Sequence, residues 1–226
     1  MTQQLLNTKL NKLGDSAMGT TVNVSELITG QAVVPVVVIE DEAQAMGLAQ
    51  ALIDGGVNVI EITLRNSFGV KAIEIIKREF PDMVVLAGTV NTAAQMVAVV
   101  KAGVDGIISP GLTPALLETA KRQNIPYLPG VATPSEVLTA IEHGLTECKL
   151  FPATVVGGIS ALKAFNGPFP NMKFCPTGGV SPDNYKEFLA LPNVMCVGGS
   201  WIAPTGLVRS GDWQAITDLC KQVTNQ

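Results

Sequence analysis

From residue 33 onward the sequence repeats one pattern, a short apolar or β-branched run followed by a longer amphipathic stretch that ends near glycine or proline. The runs occupy 33–39, 57–64, 83–87, 106–108, 125–128, 147–151, 173–175 and 194–197. Their starts recur at intervals of about 19 to 26 residues, which leaves room for a strand, a loop, a helix and a second loop. The stretches between them carry helix punctuation. Asp41 precedes a helical pattern that Gly55 and Gly56 end, Asn91 and Thr92 open one that Gly103 closes, and Thr113-Pro114 and Thr133-Pro134 put proline in a first helical turn. Continuous apolar strands alternating with helices specify a parallel sheet, covered on both faces or wrapped all round. Eight units in a single composition block favour an α/β chain of the TIM (β/α)₈ barrel type over a doubly wound open sheet, because about 200 to 250 residues suits that closure. The barrel is expected over 31–226. Residues 1–30 lie outside the repeat as an N-terminal extension, with a weak helical pattern near Ser25 placed to cap the bottom of the barrel and a loose first dozen residues.

Composition narrows the function classes. At 226 residues and 47% apolar, the chain can bury roughly 70 to 75% of its unfolded surface and needs neither disulfides nor metals to be stable. The 15 basic residues against 19 acidic ones are scattered singly apart from two pairs, and the pI is about 5.0, which argues against nucleic acid or an anionic membrane as a partner. The mean hydropathy of +0.34 invites a membrane reading, but no run reaches the about 18 apolar residues of a span, and Met1 to Asn11 lacks the apolar region of a signal peptide. The cytoplasm is the expected location. Four cysteines without CxxC spacing and one histidine argue against a zinc site, and the thiols are expected buried and reduced.

In such a barrel the reactive groups sit where strands end, so polar residues at strand exits carry the functional signal. In the second run Glu61, Thr63 and Arg65 alternate with Ile60, Ile62 and Leu64, so one face is polar and the other packs. With the apolar face against the helices, Glu61 and Arg65 point toward the barrel mouth, suited to proton transfer and to carboxylate binding. The competing reading is an internal ion pair that only satisfies itself. The sixth run places Lys149 in an apolar strand on the face shared by Glu147 and Phe151. Burial disfavours an ammonium, and a neutral amine in an apolar pocket is the group that adds to carbonyls and forms Schiff bases. Here the alternative is a lysine paired structurally with Glu61 or Glu147. Lys173 serves as a control, since its place at the start of the next run puts it at the bottom of the barrel, near solvent.

Glycine is the third signal. Thr177-Gly178-Gly179 follows the seventh run and Gly198-Gly199-Ser200 follows the eighth. Loops in those two positions bind phosphate in this fold, because glycines let backbone N–H groups approach an anion. Two tight turns would be the plain reading. Gly157-Gly158 has a weaker claim. His143, beside Gly144, reads as a surface residue at a helix end, and no GxGxxG or Walker sequence implies a nucleotide.

Taken together, IEITLR at 60–65, AGT at 87–89, ISPG at 108–111, LPGVATPSE at 128–136, ECKLFPA at 147–153, FCPTGGVSPDN at 174–184 and GGSW at 198–201 resemble one family, the class I 2-keto-3-deoxy-6-phosphogluconate / 4-hydroxy-2-oxoglutarate aldolases. The resemblance covers about residues 30 to 222. It implies that Lys149 forms the Schiff base and that Glu61 is the proton shuttle. It also implies that Arg65 and Thr89 bind the pyruvyl carboxylate, that Pro110 and Phe151 line the pocket, and that Thr177, Gly178, Gly179 and Ser200 meet the polar chain and phosphate of the substrate. No metal or organic cofactor is implied, and a homotrimer is. Two departures stand out. Many relatives carry glutamate where this chain has Thr154, and the leader is longer than the family pattern.

Other readings remain open at this level. The substrate could be unphosphorylated 4-hydroxy-2-oxoglutarate or the galactonate epimer. Lys149 could act only electrostatically, as in isomerases or decarboxylases of phosphorylated metabolites, or the barrel could bind a metabolite without turnover.

Overall fold

A computed structural model of the protein describes residues 23–224. The expected loose first dozen residues, and most of the N-terminal extension, lie outside the described residues. The chain runs α1 (Val24–Leu27), β1 (Val33–Val37), α2 (Glu42–Asp54), β2 (Val59–Thr63), α3 (Gly69–Glu79), β3 (Val84–Gly88), α4 (Ala93–Lys101), β4 (Gly106–Ile108), α5 (Pro114–Gln123), β5 (Tyr127–Leu128), β6 (Gly130–Val131), α6 (Pro134–Glu142), β7 (Glu147–Leu150), α7 (Gly158–Asn166), β8 (Lys173–Pro176), α8 (Tyr185–Leu189), β9 (Val197–Gly199), α9 (Thr205–Ser210) and α10 (Trp213–Thr224).

The helices start where the sequence caps them. Asp41 accepts the Gln44 N–H, Thr113 accepts that of Leu116, and Thr92 with Gln95 and Thr133 with Glu136 form reciprocal capping boxes. Gly103 and Gly144, both at positive φ, follow α4 and α6. His143 is the exposed C-cap of α6, its Nδ1 2.9 Å from the Thr139 carbonyl, in agreement with its reading as a helix-end residue.

Each strand pairing is parallel, and the strands form a six-stranded sheet in the order β5-β4-β3-β2-β1-β9 and a three-stranded sheet β6-β7-β8. This is an α/β fold of curled parallel strands wrapped by helices. Two details differ from the eight expected runs. The fifth run, 125–128, ends as β5, and a further short strand, β6, follows it beyond Pro129, which has no N–H to give to a ladder. The eighth is shifted, so that β9 begins at Val197; Val194 in the stretch before it meets Phe174 of β8 through an isolated bridge, and Gly198 of β9 meets Thr177, just past β8, through another.

All five residues of β2 are buried, the polar Glu61 and Thr63 as well as their apolar neighbours. Ile60 and Ile62 are fully buried in one core with Leu48 and Leu52 of α2 and Ile73 and Ile76 of α3, between strands and helices. Helix α1 lies at the other end of the strands from their exits. The Ser25 N–H donates to Glu147 at the start of β7, and a Cβ on Gly106, at the start of β4, would stand 3.2 Å from Leu27.

Candidate active site

Lys149 is the third residue of β7, flanked in register by Gly130 of β6 and Cys175 of β8. Its Nζ donates to Glu61 Oε1 at 3.1 Å and lies 3.5 Å from Oε2. Glu61 stands in the middle of β2, a strand that does not pair with β7, so the two side chains meet across the space the strands enclose. Their side chains are 7% and 2% exposed. An isolated ammonium or carboxylate at that depth would be strongly disfavoured, and pairing offsets the cost. The lysine is therefore buried as its sequence position predicts but has a counter-ion, Glu61 and not Glu147. The Phe151 ring, with its centroid 5.4 Å from Nζ, closes the upper side.

The space for this pair comes from glycines. A Cβ on Gly88, at the end of β3, would stand 2.3 Å from Glu61 Oε1 and 2.7 Å from its Cγ. On Gly130 it would meet the Pro110 carbonyl oxygen at 2.2 Å, and on Gly198 it would meet Thr177 Oγ1 at 2.3 Å. Gly88, Gly130 and Gly198 thus make room for side chains and backbone of the site; the sequence singled out only Gly198, as part of a glycine-rich strand exit. Their motifs were visible in AGT, LPGVA and GGSW, but what faced each glycine was not.

The other expected residues lie at strand exits. Arg65 lies two residues beyond the end of β2, exposed, and forms no hydrogen bond or ion pair among the described residues. Thr63, grouped with it by alternation, is buried and donates its hydroxyl to the Val37 carbonyl at 2.9 Å, so it is used by the sheet. Thr89 follows β3 with φ 57, a left-handed backbone that a β-branched residue adopts only at a cost, and such strain concentrates at functional sites. Pro110 is half-buried after β4.

Beyond β7 the Phe151–Pro152 peptide is cis, and the following turn lies on the next strand exit: Ala153 N–H donates to the Thr177 carbonyl at 2.8 Å and Thr154 N–H to that of Gly178 at 3.1 Å. Thr177 is buried, whereas Gly178 and Gly179 take φ of 96 and 78, open to glycine and strained for other residues. Ser200 is exposed just past β9. Thr177, Gly178, Gly179 and Ser200 therefore occupy two adjacent strand exits, Phe151, Thr89, Arg65 and Pro110 follow the strands at the same end, and Lys149 and Glu61 lie within β7 and β2. Lys173 begins β8 at the opposite end, exposed, its Nζ on the Pro192 carbonyl.

Two thiols complete the interior. Cys175 is held below its usual range, first by a hydrogen bond from Cys196 and then, against burial, by the positive charge of Lys149. Cys196 is pushed well above its range by the same bond, by burial and by the charges of Cys175, Glu147 and Glu61. Cys148, on the outward face of β7, is raised to about 12 by burial. Among the described residues no group of three or more His, Cys, Asp or Glu side chains converges as a metal site would require, and no helix is long and apolar enough to cross a membrane.

An amine and a carboxylate in contact inside an apolar enclosure, with an unpaired guanidinium and a glycine-rich rim at one end, can form an imine and move a proton beside it. Comparison with known proteins agrees. The sequence profile of the KDPG and KHG aldolase family matches residues 24–219. The chain is 50% identical over 190 residues to the 2-dehydro-3-deoxy-phosphogluconate aldolase of Pseudoalteromonas atlantica, covering 84% of this chain and 88% of that protein. It is 45% identical over 196 residues to the KHG/KDPG aldolase of Escherichia coli K12, covering 87% and 92%. A crystal structure of KDPG aldolase from Legionella pneumophila, with pyruvate captured at low pH as a covalent carbinolamine intermediate, superposes with a TM-score of 0.87 at 45% identity, over 89% of this chain and 98% of that one. The chain belongs to the KDPG and KHG aldolase family.

Proposed function

We propose that the protein is a class I aldolase that cleaves 2-keto-3-deoxy-6-phosphogluconate to pyruvate and glyceraldehyde 3-phosphate, with Lys149 as the nucleophile and Glu61 as the proton shuttle. The observation that carries this reading is the buried 3.1 Å contact between Lys149 Nζ and Glu61 Oε1. Transfer of a proton from the ammonium to the carboxylate frees the amine lone pair, which adds to the C2 ketone to give a carbinolamine. Glu61 returns the proton to the leaving hydroxyl, water departs, and a cationic iminium remains. Glu61, again a carboxylate, takes the C4 hydroxyl proton; the C3–C4 bond breaks, its electron pair passes to the iminium, and the aldehyde leaves an enamine. Protonation at C3 by Glu61 restores the iminium, and water hydrolyses it to pyruvate and free Lys149.

The rim residues supply position. Arg65, unpaired and two residues past β2, is set to take the substrate carboxylate bidentately, with Thr89 beside it. Pro110 and Phe151 wall the pocket. Thr177, the open backbone of Gly178 and Gly179, and Ser200 receive the hydroxyl chain and phosphate. The E. coli relative carries both substrates in its name, so unphosphorylated 4-hydroxy-2-oxoglutarate is the second substrate to assay.

The same reading takes the two sheets as arcs of one closed (β/α)₈ barrel spanning 31–226, joined through Pro129 and through the β8–β9 bridges. Helix α1 would cap its lower end, and the protein would act in the cytoplasm as a homotrimer. The test is borohydride reduction in the presence of pyruvate followed by peptide mass spectrometry. A pyruvate adduct on Lys149 supports the imine route; a folded protein with no adduct there overturns it.

A further inference from the structure

The imine chemistry uses one of the two carboxylates on the inner face of the strands. The other, Glu147, is two residues before Lys149 on β7 and therefore on the same face, about 7 Å lower along the strand. It is 6% exposed. Its partners are both from Ser25 of α1, the backbone N–H at 3.1 Å and the hydroxyl, and both are neutral.

A buried carboxylate normally has a cation. Lys173, its register partner on β8, turns its Nζ to the Pro192 carbonyl at 2.7 Å instead, and Glu147 forms no ion pair among the described residues. The other groups on the inner face are Glu61 of β2 and the thiols of Cys175 and Cys196. The register neighbours Leu86 of β3 and Gly130 of β6 carry no charge. Cys148 belongs to the outer face of β7. Lys149 is thus the cation of the enclosure, with Glu61 in contact with it and Glu147 beneath it.

We propose that Glu147 is a positioning residue of the site, a second negative charge that Ser25 holds beneath Lys149 and that stabilises the amine nitrogen whenever it is positive, as ammonium or as iminium. This deepens the aldolase reading and rests on it. The physical reason is range. Through an interior of effective dielectric about 20, a charge on the order of 10 Å away shifts a neighbour's protonation by on the order of one pH unit. An anion favours the charged amine, so its removal should move the acid limb of kcat/KM to lower pH. The iminium gains a charge relative to the free amine, so above that limb its share should fall. Helix α1 then has a chemical consequence beyond its packing at the lower end of the strands, because the charge it secures shares a face of β7 with the nucleophile.

The experiment compares wild type, Glu147→Gln and Glu147→Asp by the pH profile of kcat/KM on the phosphorylated keto acid and by the fraction of protein trapped with pyruvate and borohydride above the acid limb. Expected are an acid limb lowered by about one pH unit and a trapped fraction reduced several-fold in Glu147→Gln, both restored in Glu147→Asp. An unchanged limb and trapped fraction in folded Glu147→Gln, with only the Tm lowered, makes Glu147 a mere anchor for α1 and overturns the proposal. Should Glu147→Gln fail to fold, Ser25→Ala keeps the carboxylate and removes one of its donors. A smaller shift in the same direction supports the proposal, and no shift overturns it. A wild-type protein that gives no adduct at Lys149 rejects the aldolase reading itself, which the glutamine variant alone would not.

Discussion

The two ends of the strands differ in the charged groups they leave free. At the lower end the charged side chains beside the strand starts are used by the protein, although Oδ1 of the buried Asn193 has no hydrogen-bond partner. Lys77 Nζ donates to Asp105 at 2.8 Å and to the Met83 carbonyl at 3.2 Å, Asp105 also accepts the Val85 N–H at 2.8 Å, Lys173 is on Pro192, and Ser25 is on Glu147. At the upper end Arg65 has no partner among the described residues, Ser200 and Gly179 are exposed, and Thr89 keeps a left-handed backbone. Satisfied polar groups stabilise a fold, and groups held in place without partners are available to a substrate. The same strands thus run from a stability end to a chemical end, and two lysines on neighbouring strands, Lys149 and Lys173, fall on either side of the division.

That division breaks most sharply at the lysines. Lys149→Met keeps the length of the side chain and removes the amine, so kcat/KM should fall by at least about 10⁴-fold and pyruvate trapping should vanish. Lys173→Met should trap pyruvate as wild type does; loss of trapping there would put the nucleophile at the wrong end. Glu61→Gln retains shape and loses the proton acceptor, with an expected loss of about 10² to 10⁴-fold in kcat. Gly88→Ala touches neither group chemically, yet its methyl would stand 2.3 Å from Glu61 Oε1 and force that carboxylate away from Lys149. A displacement near 1 Å can cost about 10²-fold, so kcat should drop by about that factor while the protein still folds. Wild-type kcat in Gly88→Ala would mean that the Lys149–Glu61 geometry tolerates movement.

Much of this was legible in the sequence, for reasons that particular residues make clear. Lys149 and Glu61 were identifiable because a charge inside an apolar run has few explanations, and the strand period of two assigned each a face. Their contact was not readable, since β2 and β7 are far apart in sequence and unpaired in the sheet. Alternation also grouped Thr63 and Arg65 with Glu61. The Thr63 hydroxyl is used by the Val37 carbonyl, and the alternation ceases to apply at Arg65, which lies beyond the strand. Gly88 and Gly130 carry no signal of their own, and Gly198 reads as part of a phosphate loop, because a glycine that makes room looks, in sequence, like one that makes a turn. The short strand β6 beyond Pro129 went unread because Gly130-Val131 is too short to stand out as an apolar run. The Ser25–Glu147 contact joins residues 122 apart, and no local pattern announces it.

Smaller effects sharpen the comparison from its two sides. Ser200→Ala at the upper end should raise KM for a phosphorylated keto acid by about 10-fold or more, the worth of one hydrogen bond to a charged group, and leave the unphosphorylated analogue within about 2-fold. Equal effects on both would place the phosphate elsewhere. At the lower end Asp105→Ala strips Lys77 of its ion partner and leaves the N–H of buried Val85 without an acceptor. The Lys77–Asp105 pair is partly exposed, 20% and 29% by side chain, so water compensates some of the loss and the ion pair itself contributes little. The orphaned N–H costs more than the lost ion pair, and a stability loss of about 1 to 2 kcal/mol follows, a fall of several degrees in Tm for a chain of this size. Since β3 also carries Gly88 and leads to Thr89, a loosened β3 would reach the chemistry as well as the fold. The expectation is that it does not, because Val85 is paired with Ile60 within a five-residue register between β2 and β3 that holds the upper part of the strand. A lowered Tm with kcat/KM within about 2-fold of wild type would show that the two ends are energetically separable, and a parallel fall in both would show that β3 transmits damage from one end to the other.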